Sequence, residues 1–309
     1  MRELHERVRE EVGGVVVGQD RVLEGLMVGL ATRGHVLLEG VPGVAKTLLA
    51  NATARALGID FARVQFTPDM LPSDLTGTMT LRGGELLFRE GPVFTNFLLA
   101  DEVNRTPPKT QAALLEAMQE GQVSIEGDPR PLPEPFLVVA TQNPIEYEGT
   151  YPLPEAQLDR FVLKIDVGYP SASDEARILG LRHQGVKAAD LGSIRTVAGP
   201  TEIAEARELV DATTVSADIM GYIVAIVRHT RQLPSVTLGA SPRAAVHLLA
   251  AAKAAARLSE RDFVVPDDVI RMAVPALAHR LVLSPEAELE RFRAPDAIEN
   301  ALGAVQVPR

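Results

Sequence analysis

The chain has no cysteine and no tryptophan, and aromatic residues fill only 4% of its 309 positions. Without cysteine there can be no disulfide framework, no thiolate metal site and no cysteine nucleophile. Few rings and a formal net charge of −10 argue against a dedicated nucleic-acid surface, which needs a basic stripe and often stacking side chains. The sequence also lacks any apolar run of the ~18 residues that a membrane span requires. Its first residues, MRELHERVREE, are charged and have no signal-peptide core, so a soluble protein that stays in the cytoplasm is expected. Aliphatic residues are abundant. Hydrophobic residues make up 46% of a chain long enough for about two domains, enough to build real cores.

The stretch HVLLEGVPGVAKT, His35 to Thr47, reads as a short buried strand, a glycine-rich turn and the start of a helix. It fits GxxxxGK[ST] at Gly40, Lys46 and Thr47, except that Ala45 stands where the second glycine would fall. Gly40 and Gly43 let the turn curl so that several N–H groups face one point, and the helix beginning near Lys46 adds its positive end. Such a nest holds phosphates. The candidate binding residues are Gly40, Val41, Pro42, Gly43, Val44, Ala45, Lys46, Thr47 and Leu48. Lys46 would reach the β and γ oxygens of a nucleotide, and the Thr47 hydroxyl would sit on Mg²⁺. A plain turn with a surface lysine is the bland alternative. Apolar Val36 to Leu38 before the turn, and a helix from Leu48 to Leu57 closed by Gly58 after it, are the context that the phosphate reading needs.

Taken in order, residues 1 to 12 form an amphipathic helix, and a second helix runs from an N-cap at Asp20 to about Arg33. IDFARVQF alternates partially as a strand. Residues 67 to 96, rich in Pro, Gly and Thr, read as a projecting insertion with a hairpin, Thr78 to Leu81 against Glu85 to Phe88. FLLA (97 to 100) is a buried strand ending in Asp101-Glu102, both at the tip where a parallel sheet carries its site. Asp101 suits the Mg²⁺ shell and Glu102 a general base that polarises the attacking water, unless the pair is merely a solvated strand end. A helix starts at Thr106-Pro107 and stops at Gly121, and a hairpin turns around Gly127-Asp128. PFLVVATQNP is a fourth strand ending in Thr141, Gln142 and Asn143. Asn143 either aims its amide at the γ-phosphate or the water, or makes an Asx-type turn before Pro144. VLKIDV is a fifth strand. The fold class is therefore α/β, a doubly wound parallel sheet with helices on both faces. From Tyr169-Pro170 onward helical patterns take over, at 173–182, 201–211, 217–232, 242–260 and 266–281. The expected domains are 1–182, a connection at 183–200, and a smaller all-helical domain at 201–309 whose last residues give no clear pattern.

These segments resemble the MoxR ATPases of the AAA+ superfamily. The resemblance is carried by GVPGVAKT (40 to 47), LLADEVNRTPPKTQAALLEAMQE (98 to 120), VVATQNPIEYEGTYPLPEAQLDRF (138 to 161) and LGASPRA (238 to 244). The family's own phosphate loop has Ala at the Ala45 position. The resemblance implies a homo-oligomeric, hexameric ring, with ATP between subunits and a lid formed by the helical domain. It implies a sensor 1 role for Asn143, an arginine finger at Arg160 reaching the neighbour's ATP, and a sensor 2 role for Arg243, in cis or in trans. It also implies that Gly18 and Gln19 line the adenine pocket, and that a von Willebrand factor A domain protein serves as adaptor. Arg105 is a further candidate for the subunit interface. The implied function is Mg²⁺-dependent ATP hydrolysis coupled to chaperone-like remodelling of protein clients. The alternatives are a nucleic-acid-handling motor, which the acidic balance disfavours, and a regulatory ATP-binding module with little turnover.

Overall fold

Five of the apolar runs become strands of a single sheet in the computed structural model, which describes residues 1–143, 150–183 and 191–308. They are β1 (His35–Glu39), β2 (Phe61–Gln65), β3 (Phe97–Asp101), β4 (Leu137–Gln142) and β5 (Phe161–Asp166). Their order is β2-β3-β4-β1-β5, and the β2–β3, β3–β4 and β4–β1 ladders are all parallel. Every residue of β3 is buried, as is every residue of β4 up to Thr141, because a parallel sheet has both faces covered. The chain leaves β1 for the far edge strand β2, and leaves β4 for the opposite edge strand β5. The direction of winding reverses at β1 and β4, and the carboxyl ends of these strands are where such sheets bind ligands.

The register brings those carboxyl ends level. Gln65 pairs with Asp101, Leu99 with Val139, and Leu38 with Thr141. His35 fixes the opposite end of β1 from within the core, with its Nδ1 accepting the Val138 N–H at 3.0 Å and its Nε2 2.9 Å from the Met118 carbonyl. The helix after β3 spans Pro108–Glu120, so proline occupies its first position, where a missing N–H does no harm.

The expected insertion contains a short helix, Pro72–Thr76, which the sequence reading did not separate, and then the hairpin Gly77–Arg82 with Glu85–Glu90. Its two-residue turn, Gly83-Gly84, has φ of 64° and 91°, the double positive φ that matches strand twist in a type I′ turn. Leu75 is fully buried at the base, whereas Leu81 and Leu86 on the hairpin are more than 60% exposed. The second expected hairpin is Gln122–Ile125 with Asp128–Pro131. Asp20 is the first residue of the helix Asp20–Ala31 and not its cap, since Gln19 occupies that position.

By compactness the chain separates into two units. One comprises residues 4–153 and 165–204, the other residues 1–3, 154–164 and 205–309. Part of the expected connection, 184–190, lies outside the described residues, as do 144–149 of the segment VVATQNPIEYEGTYPLPEAQLDRF. The second unit is built on the helices Ala217–Thr230, Pro242–Leu258 and Pro266–Leu277. Ser216 and Ser241 cap the first two by accepting the N–H of Ile219 and Ala244. The alanines of Pro242–Leu258 are a packing face, with Ala251, Ala252 and Ala254 to Ala256 fully buried. One feature corrects the all-helical expectation. Val236–Leu238 and Val282–Leu283 form a short antiparallel ladder, and the helix that begins at Pro266 stops at Leu277 and not at Leu281. The terminal segment also contains a helix, Ala294–Ala304, which buries Ala297, Ile298 and Ala301. Among the described residues, no helix is long and apolar enough to cross a membrane.

Candidate active site

β1 ends where the chain must pass very close to its neighbour. A Cβ on Gly40 would lie 2.3 Å from the Val167 carbonyl oxygen, so only glycine fits. The turn then runs to Ala45, which adopts a left-handed conformation (φ 62°, ψ 22°) and starts the helix Lys46–Ala56 with no side-chain cap. The absent second glycine of the motif is thus a real backbone demand, met here by alanine at a strain of roughly 1–2 kcal/mol. The first N–H groups of this helix, left without a side-chain acceptor, are the donors that an anion needs.

A cleft of about 560 Å³ opens over this turn. It gathers Pro42 to Leu48 with Asp101, Glu102 and Asn143, and is walled on one side by Val15, Val16, Val17 and Gln19. Gln19 is buried and donates from Nε2 to the Val44 carbonyl at 3.4 Å. The Lys46 ammonium donates to the Gly40 carbonyl at 2.5 Å. Burial lowers its pKa, and Asp101, Glu102 and Glu39 act in the opposite direction. Not every expected residue lines the cleft. Gly40 and Val41 are not among its lining residues, and Gly18 belongs to an adjoining cavity with Arg9 and Arg177. Arg160 and Arg243 belong to the other unit. Asn143 is buried at the end of β4, while Pro144, on which the Asx-turn alternative depends, lies outside the described residues.

The acidic pair is held by residues whose roles the sequence reading did not assign. Thr141, at the end of β4, donates its hydroxyl to Asp101 Oδ1 at 2.6 Å and accepts the Glu102 N–H at 2.9 Å. Arg63, on β2, donates to Asp101 Oδ2 from Nε at 3.1 Å and from Nη2 at 2.7 Å, and Nη2 also donates to Gln65 Oε1 at 2.8 Å. Gln65 in turn donates to Glu102 Oε2 at 2.6 Å. Arg105, expected at a subunit interface, lies 3.0 Å from the same Glu102 oxygen. Glu102 itself has φ 58°, a sparsely populated conformation for a side chain of this kind and the sort of local strain that collects at functional sites. The polar residues Arg63 and Gln65 alternate with Val64 on a strand beside the acidic one, and that alternation was the available signal.

A phosphate-type turn and two acids, set at the winding reversal of a parallel sheet, define a P-loop nucleotide-binding protein of the AAA+ type. A family model described as ATPase family associated with various cellular activities (AAA) matches residues 35–163, and an AAA lid domain model matches 228–301. The chain is 46% identical to the uncharacterized protein YeaC of Bacillus subtilis, over 97% of this chain and 93% of that one. It is 45% identical to the chaperone MoxR1 of Mycobacterium tuberculosis, over 98% of this chain and 82% of the relative. The crystal structure of a candidate ATPase from Cytophaga hutchinsonii superposes with a TM-score of 0.92 at 43% identity, covering 100% of this chain and 96% of that one. The chain belongs to the MoxR family of AAA+ ATPases and is an ATP-hydrolysing enzyme.

The Thr141 latch is testable by stability. Thr141→Val keeps the volume but leaves the Glu102 N–H and one Asp101 oxygen without their partner, a loss of about 1–3 kcal/mol. Thr141→Ser keeps the hydroxyl and should lie much closer to wild type. Equal urea midpoints for the two variants would show that the hydroxyl does not hold the acids.

Proposed function

We propose that the protein binds ATP with Mg²⁺ in this cleft, hydrolyses it with Glu102 as general base, and uses turnover to remodel or activate protein clients in the manner of a chaperone. The observation that carries the reading is the gathering of Lys46, Thr47, Asp101, Glu102 and Asn143 around one cleft above a phosphate-type turn. The donor chemistry fits a hard cation. Thr47 and Asp101 offer oxygens, and Asp101 already pairs with a cation, the Arg63 guanidinium. Among the described residues no group of three or more His, Asp or Glu side chains gathers, and Mg²⁺ is ordinarily held by one or two carboxylates together with substrate phosphates. Bound there, Mg²⁺ would neutralise charge on the phosphate oxygens.

The chain's own residues do the rest. Lys46 exchanges the Gly40 carbonyl for β and γ oxygens, whose negative charge restores the stability of an ammonium that burial disfavours. Glu102 takes a proton from the attacking water, and Asn143 orients that water or the γ-phosphate. Gly18 and Gln19 border the base. In this reading subunits assemble in a hexameric ring, Arg160 acts as the finger on a neighbour's ATP, and Arg243 contacts nucleotide in cis or in trans. We propose residues 1–182 as the α/β domain and 201–309 as its lid. The exposed leucines of the hairpin Gly77–Glu90, at positions 81 and 86, suit contact with a client. The chaperone name of the Mycobacterium relative supports the client assignment, and a von Willebrand factor A domain adaptor follows from the family resemblance. Cytoplasmic residence accords with the composition.

Lys46→Ala should abolish ATP binding, whereas Glu102→Gln should bind ATP and not turn it over. Normal ATP affinity of Lys46→Ala in calorimetry would sink the assignment of the cradle. Arg63 and a metal ion compete for the same Asp101 oxygen, so Arg63→Met should lower the Mg²⁺ concentration at which ATP binding is half-enhanced, read with fluorescent nucleotide. A raised or unchanged midpoint would mean that Arg63 does not oppose the metal. Replacing residues 82–85 by a Gly-Ser turn should preserve basal ATPase while removing its response to client. Loss of basal turnover in a folded, assembled variant would make the hairpin part of the nucleotide site.

A further inference from the structure

The second unit contains an arginine whose side chain is only 1% exposed, far from the norm for a guanidinium. Arg280 Nε donates to Asp159 Oδ1 at 2.8 Å. Its Nη2 donates to the carbonyls of Asp159 and Phe161, at 3.1 and 2.7 Å. Nη1 donates to the Ala276 carbonyl, and Nη2 also meets His247 Nδ1. The two carbonyls at Asp159 and Phe161 flank Arg160 on either side. Asp159 accepts from the Ser241 hydroxyl on both oxygens at 3.1 Å, and its Oδ2 is 3.9 Å from Arg243 Nη1. Ser241 is the N-cap of the helix Pro242–Leu258, in which Arg243 is the second residue. All of these residues lie in one compact unit.

Burying an ion pair is a poor way to gain stability, because desolvation offsets the attraction and an apolar pair of similar volume often does as well. Its distinctive product is geometry. A planar guanidinium bound to a carboxylate and two carbonyls fixes the orientation of the 159–161 turn, and with it the direction in which the Arg160 side chain departs. The surroundings are matched to a single positive charge. Burial and Arg280 push His247 down to about 4, so it is neutral and its Nδ1 accepts. His279, fully enclosed with Nε2 3.1 Å from the Phe161 carbonyl, is likewise kept well below its ordinary value by burial.

We infer that Arg280 and Asp159 are positioning residues that lock the Arg160 turn to the first turn of the Arg243 helix, so that both arginines are presented as one rigid piece. The inference rests on the finger role proposed for Arg160, and the test separates the two. Asp159→Asn keeps volume and the Ser241 bond, and Arg280→Met replaces the guanidinium by an apolar chain of similar length. Each variant alone should bind ATP with unchanged affinity and show kcat lowered at least tenfold with little change in KM. Each is then mixed with Glu102→Gln subunits, which have an intact finger and no base, and separately with Arg160→Ala subunits, which have an intact base and no finger. Activity should return in the first mixture and not in the second, whereas a merely destabilised subunit would be equally poor in both. Glu102→Gln with Arg160→Ala is the control. If that mixture stays inactive with mixed rings seen by native mass spectrometry, the finger reading itself fails and takes the inference with it. If the control recovers but the variants keep wild-type kcat, or recover equally with both partners, the positioning role is overturned. Failure of both variants to fold would overturn it in favour of a purely structural pair.

Discussion

Asp101 is a carboxylate at the tip of a fully buried strand, only 9% exposed, and its oxygens must be met by neighbours or the strand end is destabilised. β3 lies between β2 and β4, so residues of those two strands reach it from either side. Thr141 from β4 takes one oxygen and Arg63 from β2 takes the other. The same Thr141 hydroxyl then receives the Glu102 N–H, which holds the next acid as the chain turns away at positive φ. Satisfying one carboxylate therefore sets the position of the second. The register of a parallel sheet is thereby converted into the placement of two carboxylates on adjacent residues.

The cleft sets cationic and acidic side chains against one another. Lys46 and Arg63 face Asp101 and Glu102, while Glu39 stands nearby. Arg63 also grips Gln65, which grips Glu102, so Asp101 and Glu102 are linked through two side chains. A polar chain of this kind is held tightly when every member is satisfied and rearranges as a unit when one is taken. On the proposed reading, the arrival of a phosphate-bound cation takes that one member.

Much of this was legible in the sequence because it rests on backbone demands. The apolar runs of β1, β3 and β4 are continuous since both sheet faces are covered. Gly40 and the Gly83-Gly84 pair stand where close approach or double positive φ leaves no other residue comfortable. Arg63 and Gln65 were not assigned, because on an edge strand alternating polar residues look like a solvated face, and only the register opposite Asp101 shows what they meet. The Val236–Leu238 ladder was missed because two- or three-residue strands have no periodicity to read. The terminal helix Ala294–Ala304 was missed although Pro295 and Asp296 mark its first turn, with Asp296 accepting the Arg293 N–H. Most of its apolar positions are small alanines, which give a weak pattern.

The placement of residues 154–164 could not be read locally, since the segment follows the fourth strand in sequence yet is compact with helices more than 80 residues later. Part of what holds it there is electrostatic. Arg280 offers donors to Asp159 and to the carbonyls on both sides of Arg160, a pattern that no hydrophobic contact could impose on a four-residue helix, Glu155–Leu158, with no buried residue. A short, poorly buried element is ordinarily among the first to fray. Here a desolvated charge pair acts beside the apolar burial of Phe161, Val162 and Leu163, which follow the short helix. The residue between these two carbonyls, Arg160, therefore departs from a backbone turn that is fixed on both sides.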